Sequence, residues 1–437
     1  MRSFGSIFAL EFRALVRSRA LLLLALAAVG WMFAFPHLVT SDGTPEGARE
    51  LYIHYALGGA FALVLVALAA TAAGSLAKDR AAKRLQLTTV RPVRYFVVAL
   101  ARAFALVAAG ALTLALAAAV LIGTAEPGRR CYHVLVPVME SPRAEAEKMF
   151  DIYMNDPETP EEVRKAPKAT VLRLLTQRAW DNYQTVAAGE TVGWRFNVPD
   201  AAGRGDVAVR LRFTNDFDTR EDVRGAFRCG ELTGVVSNIT RAVVVVPLAR
   251  AADSAGVDGA ADEAGADAAR GARDELVFSN RGTNTLMLRP RRDINLLYTS
   301  GTSAFALNVL FAYLELVAML ALAVAFAMFL SAALGRSVAI FTTMAMLLVT
   351  EISPSVIEQY PDSLETDAKD RIGLELTRFV EKVTSPFGSL TPLEHLANGE
   401  CVEPAETARV LAVDFALLPL LLALAAGVIL PRKQDGL

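Results

Sequence analysis

AFALNVLFAYLELVAMLALAVAFAMFLSAAL, residues 304–334, is 31 residues long and carries one charged side chain, Glu315. A bilayer core roughly 30 Å thick is crossed by about 20 apolar residues in a helix, because only internal hydrogen bonding satisfies the backbone there. The stretch therefore predicts a membrane-spanning helix, and its composition repeats elsewhere. Similar runs cover residues 20–39, 55–77, 95–123, 337–357 and 408–430, which makes six candidate spans. Pro354 interrupts the fifth. The chain is 437 residues long, 54% hydrophobic, with a mean hydropathy of +0.37, too apolar for an ordinary soluble protein of this size. The excess is confined to these blocks, and residues 124–303 have the composition of a soluble domain.

Charge placement orients the spans. Arg2, Arg13, Arg17 and Arg19 precede the first; Lys78, Arg80, Lys83, Arg84, Arg91 and Arg94 follow the second; Arg336, Arg432 and Lys433 fall on the same side. The opposite short loop, residues 41–54, holds only Arg49. The positive-inside rule then puts both termini in the cytoplasm of a bacterial plasma membrane, with 124–303 and 358–407 outside. Residues 1–19 read as an amphipathic interfacial helix, or as a plain continuation of the first span. A net charge of −2 gives no reason to expect nucleic acid.

The inserted segment divides in two. Residues 139–185 show helical spacing and proline punctuation. From about Gly189 the period changes to two: Val207, Val209, Leu211 and Phe213 alternate with Ala208, Arg210 and Arg212. Similar runs at 191–198, 230–238, 241–248, 275–280 and 283–290 predict an antiparallel β-sandwich over 190–300. Trp194, Phe196 and Phe213 fit its core. Residues 251–273, rich in Ala, Gly and Asp, read as a flexible loop. The expected fold is an α-helical membrane protein of six transmembrane helices with an inserted extracytoplasmic α+β domain. Its parts are 1–123 with spans one to three, 124–303 outside, and 304–437 with spans four to six.

The stretch KDRAAKRLQLTTVRPVR, residues 78–94, lies between spans two and three and is closed by Pro92. It resembles the cytoplasmic coupling-helix region of type-2 ATP-binding-cassette exporter permeases, where a charged stretch leads into a Leu-Leu-Thr-x-Pro-Val-like sequence. The matching residues are Arg84, Leu85, Leu87, Thr88, Thr89, Pro92 and Val93, with one more residue before the proline than in the family pattern. The layout of interfacial helix and six spans is similar too, over roughly the membrane half of the chain. The resemblance implies a permease subunit that pairs with a second copy or a related permease and docks a separate cytoplasmic ATPase subunit on these residues. No G-x-x-x-x-G-K-[ST] phosphate cradle and no cofactor signature occurs in the chain itself. Apart from the resemblance, a basic loop of this kind also serves as an anchor on anionic membrane lipids.

Ionisable residues within spans are costly and call for a role. Glu315 in the fourth and Asp414 in the sixth are candidates to line a polar path, or simply to hydrogen-bond between helices. Arg102 lies near the inner end of the third. His37, His54, His133 and His395 show no metal-ligand spacing, and no Gly-x-Ser-x-Gly elbow occurs, so catalysis has no sequence support. Cys131, Cys229 and Cys401 are widely spaced. With the orientation above, a Cys131–Cys229 disulfide is permitted, and unpaired thiols are the alternative. The rival functional reading is a non-transporting membrane scaffold or sensor whose β-domain binds an envelope partner.

Overall fold

The structure is a computed structural model that describes residues 2–38, 48, 50–81, 94–125, 129–139, 142–155, 168–180, 184–198, 206–214, 222–240, 243–250, 275–346 and 391–434. It separates into a helical unit, built from the two ends of the chain, and a sheet unit built from residues 132–303.

In the helical unit, α1 (Arg2–Val16) is followed by α2 (Arg19–Leu38), α3 (Tyr52–Leu57 continuing through Gly58–Ala81) and α4 (Tyr95–Thr124). Helix α1 is no continuation of α2. Ser18 breaks the chain between them: its hydroxyl donates to the Leu15 carbonyl at 2.6 Å and accepts the Leu21 N–H at 3.2 Å, which caps α2. Five helices among the described residues are long and apolar enough to cross a membrane: 19–38, 52–79, 95–124, 305–333 and 404–429. The fifth run expected from sequence, 337–357, is helical over 336–346, and its remainder lies outside the described residues.

Packing explains why the stretch 304–334 is apolar on every face. It forms the central helix of the unit, Phe305–Ala333, against which α3 and α4 pack, and most of its side chains are buried. Close approach demands a missing side chain at Gly110 of α4, where a β-carbon would fall 2.5 Å from side-chain carbons of both Leu320 and Leu68. Polar ties are few. The Ala77 N–H donates to Ser331 Oγ at 3.0 Å, and the Tyr313 hydroxyl donates to the Ala111 carbonyl at 3.1 Å.

The sheet unit begins with β1 (His133–Leu135) and two helices, α5 (Pro142–Asn155) and α6 (Lys168–Trp180). These helices share a small core of Ala146, Val171 and Leu175, as the helical spacing of 139–185 leads one to expect. The remaining strands are β2 (Gln184–Val186), β3 (Thr191–Arg195), β4 (Val207–Arg212), β5 (Asp222–Cys229), β6 (Leu232–Ile239), β7 (Val243–Arg250), β8 (Glu275–Asn280), β9 (Leu286–Leu288) and β10 (Ile294–Tyr298). Eight of them form one antiparallel sheet in the order β1-β10-β4-β7-β6-β5-β8-β3, and β2 pairs with β9.

This corrects the two-sheet sandwich expected from sequence: the sheet is a single half-barrel. Its turning point is the β6–β7 hairpin, which contributes only the pairs Leu232↔Arg250 and Thr233↔Ala249 before the strands diverge. Gly234 permits the sharp turn, since a β-carbon there would meet Leu248, Val246 and the Pro247 carbonyl within 3.0 Å. The edges approach at the far side, where Pro137 bridges Phe196 and the Val138 N–H donates to the Arg195 carbonyl at 2.6 Å. Curvature lets both halves share one core of Trp194, Phe196, Leu211, Phe213, Phe227, Phe278 and their neighbours. Phe278 is fully buried with ring centroids 4.9 Å from Phe213 and 4.7 Å from Phe227. Each such side chain contributes about 1.5–3 kcal/mol of transfer free energy. The Trp194 indole finds its hydrogen-bond partner in Gln184 Oε1 at 2.9 Å. Residues 251–273 lie outside the described residues.

Candidate functional site

After the central helix Phe305–Ala333, here α7, and the helical residues 336–346, the described chain resumes with α8 (Thr391–Ala397) and a last helix, α9, over Pro404–Gln434. Among the described residues, two polar clusters stand out in the helical unit, and they differ in kind.

The first is centred on Arg102 of α4. Its Nε donates to Glu11 Oε1 of α1 at 2.8 Å, and its Nη1 lies 2.5 Å from Asp79 Oδ2 of α3. The three side chains are 18, 29 and 16% exposed, so water screens the pairs only in part. Asp79 sits in the last turn of α3, where the helix dipole disfavours a carboxylate, and Arg102 supplies the offsetting charge. A guanidinium suits the task because its spread charge reaches two acids at once, Glu11 through a hydrogen bond from Nε and Asp79 through a charge contact at Nη1. Apolar contacts run beside it: Phe4, Phe8 and Phe12 stack along α1, Phe4 meets Phe104 of α4 edge-on at 6.2 Å, and Phe104 meets Phe415 of α9 at 5.7 Å. Helix α1 is thus docked on α4 through its aromatic face. Arg84, Leu85, Leu87, Thr88, Thr89, Pro92 and Val93 lie outside the described residues, while the triad links the last turn of α3, at Asp79, to α4 about two turns past its start, at Arg102.

The second cluster joins α7 to the segment 391–407. Glu315, only 5% exposed, accepts a hydrogen bond from the Thr407 hydroxyl of α9 at 2.6 Å. Two turns earlier on α7, fully buried Asn308 accepts the Val402 N–H at 2.8 Å and donates to the Ala304 carbonyl at 2.9 Å. These bonds seat the chain entering α9 against the central helix. Next to them, His395 Nδ1 pairs with Glu400 Oε2 at 2.7 Å across the turn at Gly399, whose φ of 73° suits glycine. The His395 pKa lies above its ordinary value: the Glu400 hydrogen bond holds the proton, burial opposes it, and the charges of Glu400, Glu406 and Glu315 add to the retention. On the apolar side, Leu393, Leu396 and Ala397 of α8 are buried in the main core of the unit.

Asp414 does not join Glu315. It lies half-buried in a π-helical stretch of α9, Leu411–Leu417, and its charged neighbour is Arg409. A second π-helical stretch, Tyr52–Leu57, opens α3, and its Tyr55 carbonyl accepts the Trp31 indole N–H at 3.1 Å as well as the Gly58 backbone N–H. Cys131 is buried in the apolar core of the helical unit and Cys229 in the core of the half-barrel. Among the described residues no group of three His, Cys, Asp or Glu side chains is placed to hold a metal ion.

Sequence reasoning singled out Glu315 and noted Arg102, but missed Glu11, Asp79, Thr407, His395 and Glu400 as their surroundings. One signal was available: Glu11 is the only acid in an otherwise apolar and arginine-bearing helix. No family model, no curated protein and no solved structure matches the chain.

Proposed function

We propose that this chain is the membrane-spanning permease subunit of an ATP-binding-cassette exporter, coupled to a separate cytoplasmic ATPase subunit through residues 78–94. The observation that supports the reading is the Glu11–Arg102–Asp79 triad. A stroke applied to a short loop moves a bundle only if the helices flanking that loop are fastened together. Arg102 fastens α3, α4 and α1 within one residue's reach of each other, next to the stretch that resembles a coupling helix. Leu85, Leu87 and Val93 supply apolar contacts to the ATPase, and Arg84 supplies charge. The functional unit contains two permease chains and two ATPases, surrounded by membrane lipids, with both termini of the chain in the cytoplasm and the half-barrel outside.

The test is purification from the native membrane through a tag on Leu437, comparing the intact chain with Leu85→Asp/Leu87→Asp. Co-purification of a nucleotide-binding subunit that the double variant loses is the expected result. A well-expressed intact chain that brings down no such subunit overturns the reading in favour of a membrane scaffold.

A further inference from the structure

Helix α1 carries its uncompensated charge on the side turned away from the bundle. Phe4, Phe8, Phe12 and Leu15 recur at the spacing of one helix face, the face turned to the bundle, and Glu11 lies on that side with its carboxylate taken by Arg102. Leu10, Arg13, Ala14 and Arg17 repeat the spacing on the opposite face, and all four are exposed, Leu10 by 68%. Arg19, the first residue of α2, is exposed as well. Glu11 is the one acid in residues 2–38, and among the described residues no carboxylate pairs with Arg13, Arg17 or Arg19.

A surface helix ordinarily buries its apolar face in the lipid boundary and turns its charges to water. Here the aromatic face is spent on protein, so the charged face is the one left to meet a partner. The neighbouring helix sets its depth: Arg19 opens the 20-residue apolar helix Arg19–Leu38, long enough to cross a membrane, and the first residue of such a span lies at the level of the lipid headgroups. We propose that Arg13, Arg17 and Arg19 bind the anionic headgroups of the membrane, and that bound headgroups hold α1 on α4. The charges are complementary, and a guanidinium grips a phosphate through paired donors. Leu10 and Ala14, interleaved with the cations, match the acyl boundary beneath the phosphates. The inference rests on the membrane-spanning part of the function proposed above and is independent of the ATPase.

The full-length chain is placed in nanodiscs of phosphatidylcholine, with or without phosphatidylglycerol, and amide hydrogen exchange of peptides within residues 2–16 is followed by mass spectrometry. Phosphatidylglycerol is expected to slow exchange about tenfold, since each cation near an anionic surface strengthens attachment about fivefold and salt screens part of the sum. Peptides of α7 are the control and should not change. Arg13→Gln/Arg17→Gln/Arg19→Gln should abolish the response, and Arg13→Lys/Arg17→Lys/Arg19→Lys should keep most of it, which separates charge from a structural role of the arginines. Equal exchange in the two lipids, or a response that persists in the glutamine variant, overturns the proposal. Protection that ignores lipid charge and follows a co-purified subunit overturns it in favour of a protein partner. A chain that does not enter nanodiscs removes the membrane reading itself, and incorporation tells that failure apart from failure of the headgroup site.

Discussion

The two polar clusters of the helical unit solve opposite problems. At Arg102, one permanent cation meets two acids, and because a guanidinium keeps its charge throughout the accessible pH range the tie is unconditional. At His395, by contrast, a titratable imidazole pairs with Glu400, whose hydrogen bond holds the ring's pKa above its ordinary value. The difference sets a tie built on a permanent cation beside one built on a titratable cation. Identical hydrogen-bond lengths would not reveal it; the chemistry of the cation does.

The comparison breaks first at Arg102 if the fastening is only apparent. Arg102→Met leaves Glu11 and Asp79 partly buried without a counter-charge and is expected to cost about 3 kcal/mol, the lower end of the range for breaking buried pairs. Thermal unfolding in one detergent measures it, and adding Glu11→Gln to the variant should recover part of the loss, as coupled sites do. If aromatic and aliphatic packing were instead the main tie, the ranking would reverse at Gly110. Gly110→Val forces α4 away from Leu320 and Leu68 and should cost about 2 kcal/mol by overpacking. A loss larger than that of Arg102→Met would demote the triad. At the other cluster, Thr407→Val keeps the shape and removes the donor to Glu315, leaving a buried carboxyl short of a partner at a cost of about 1–2 kcal/mol.

The same contrast accounts for what the sequence disclosed. The long apolar helices were legible because runs of that length and composition satisfy the backbone only as helix, so 95–123 and 304–334 matched the observed Tyr95–Thr124 and Phe305–Ala333 closely. Strands with clean alternation were legible too: the run at 275–280 matches β8, and Val207–Phe213 matches β4 with its bridge partner region. Strand β5 was missed because Gly225 interrupts the buried series Val223, Phe227 and Cys229 that alternates with Arg224 and Arg228, and β1 and β2 because three residues carry no period. The half-barrel was not legible, because whether two sets of strands form a sandwich or one curved sheet is decided by two residue pairs in the β6–β7 hairpin. Of the polar clusters, single members stood out as charges in apolar runs. Their partners did not, since Glu11 and Arg102 are 91 residues apart and Glu315 and Thr407 are 92.

Two smaller effects sharpen the distinction between a fixed tie and a conditional one. A histidine whose pKa is raised by folding contributes stability that is fully present below its ordinary value and is lost as pH rises through the raised one. Stability of the wild-type helical unit should therefore decline upward from the ordinary imidazole range, His395→Gln should flatten that decline, and Arg102→Met should leave its slope unchanged. A slope that follows Arg102 instead would place the titrating group at the wrong cluster. The smallest effect belongs to Arg143 and Glu147 of α5, an i,i+4 pair at 3.4 Å whose side chains are 81 and 56% exposed. Geometrically it is an ion pair like the others, yet water already solvates both groups in the unfolded and folded chain. Arg143→Ala should change stability by about 0.3 kcal/mol, measured by denaturant unfolding. A cost approaching that of Arg102→Met would mean that pairing itself, rather than pairing away from water, fastens these helices, and the ranking drawn between the clusters would have no physical basis.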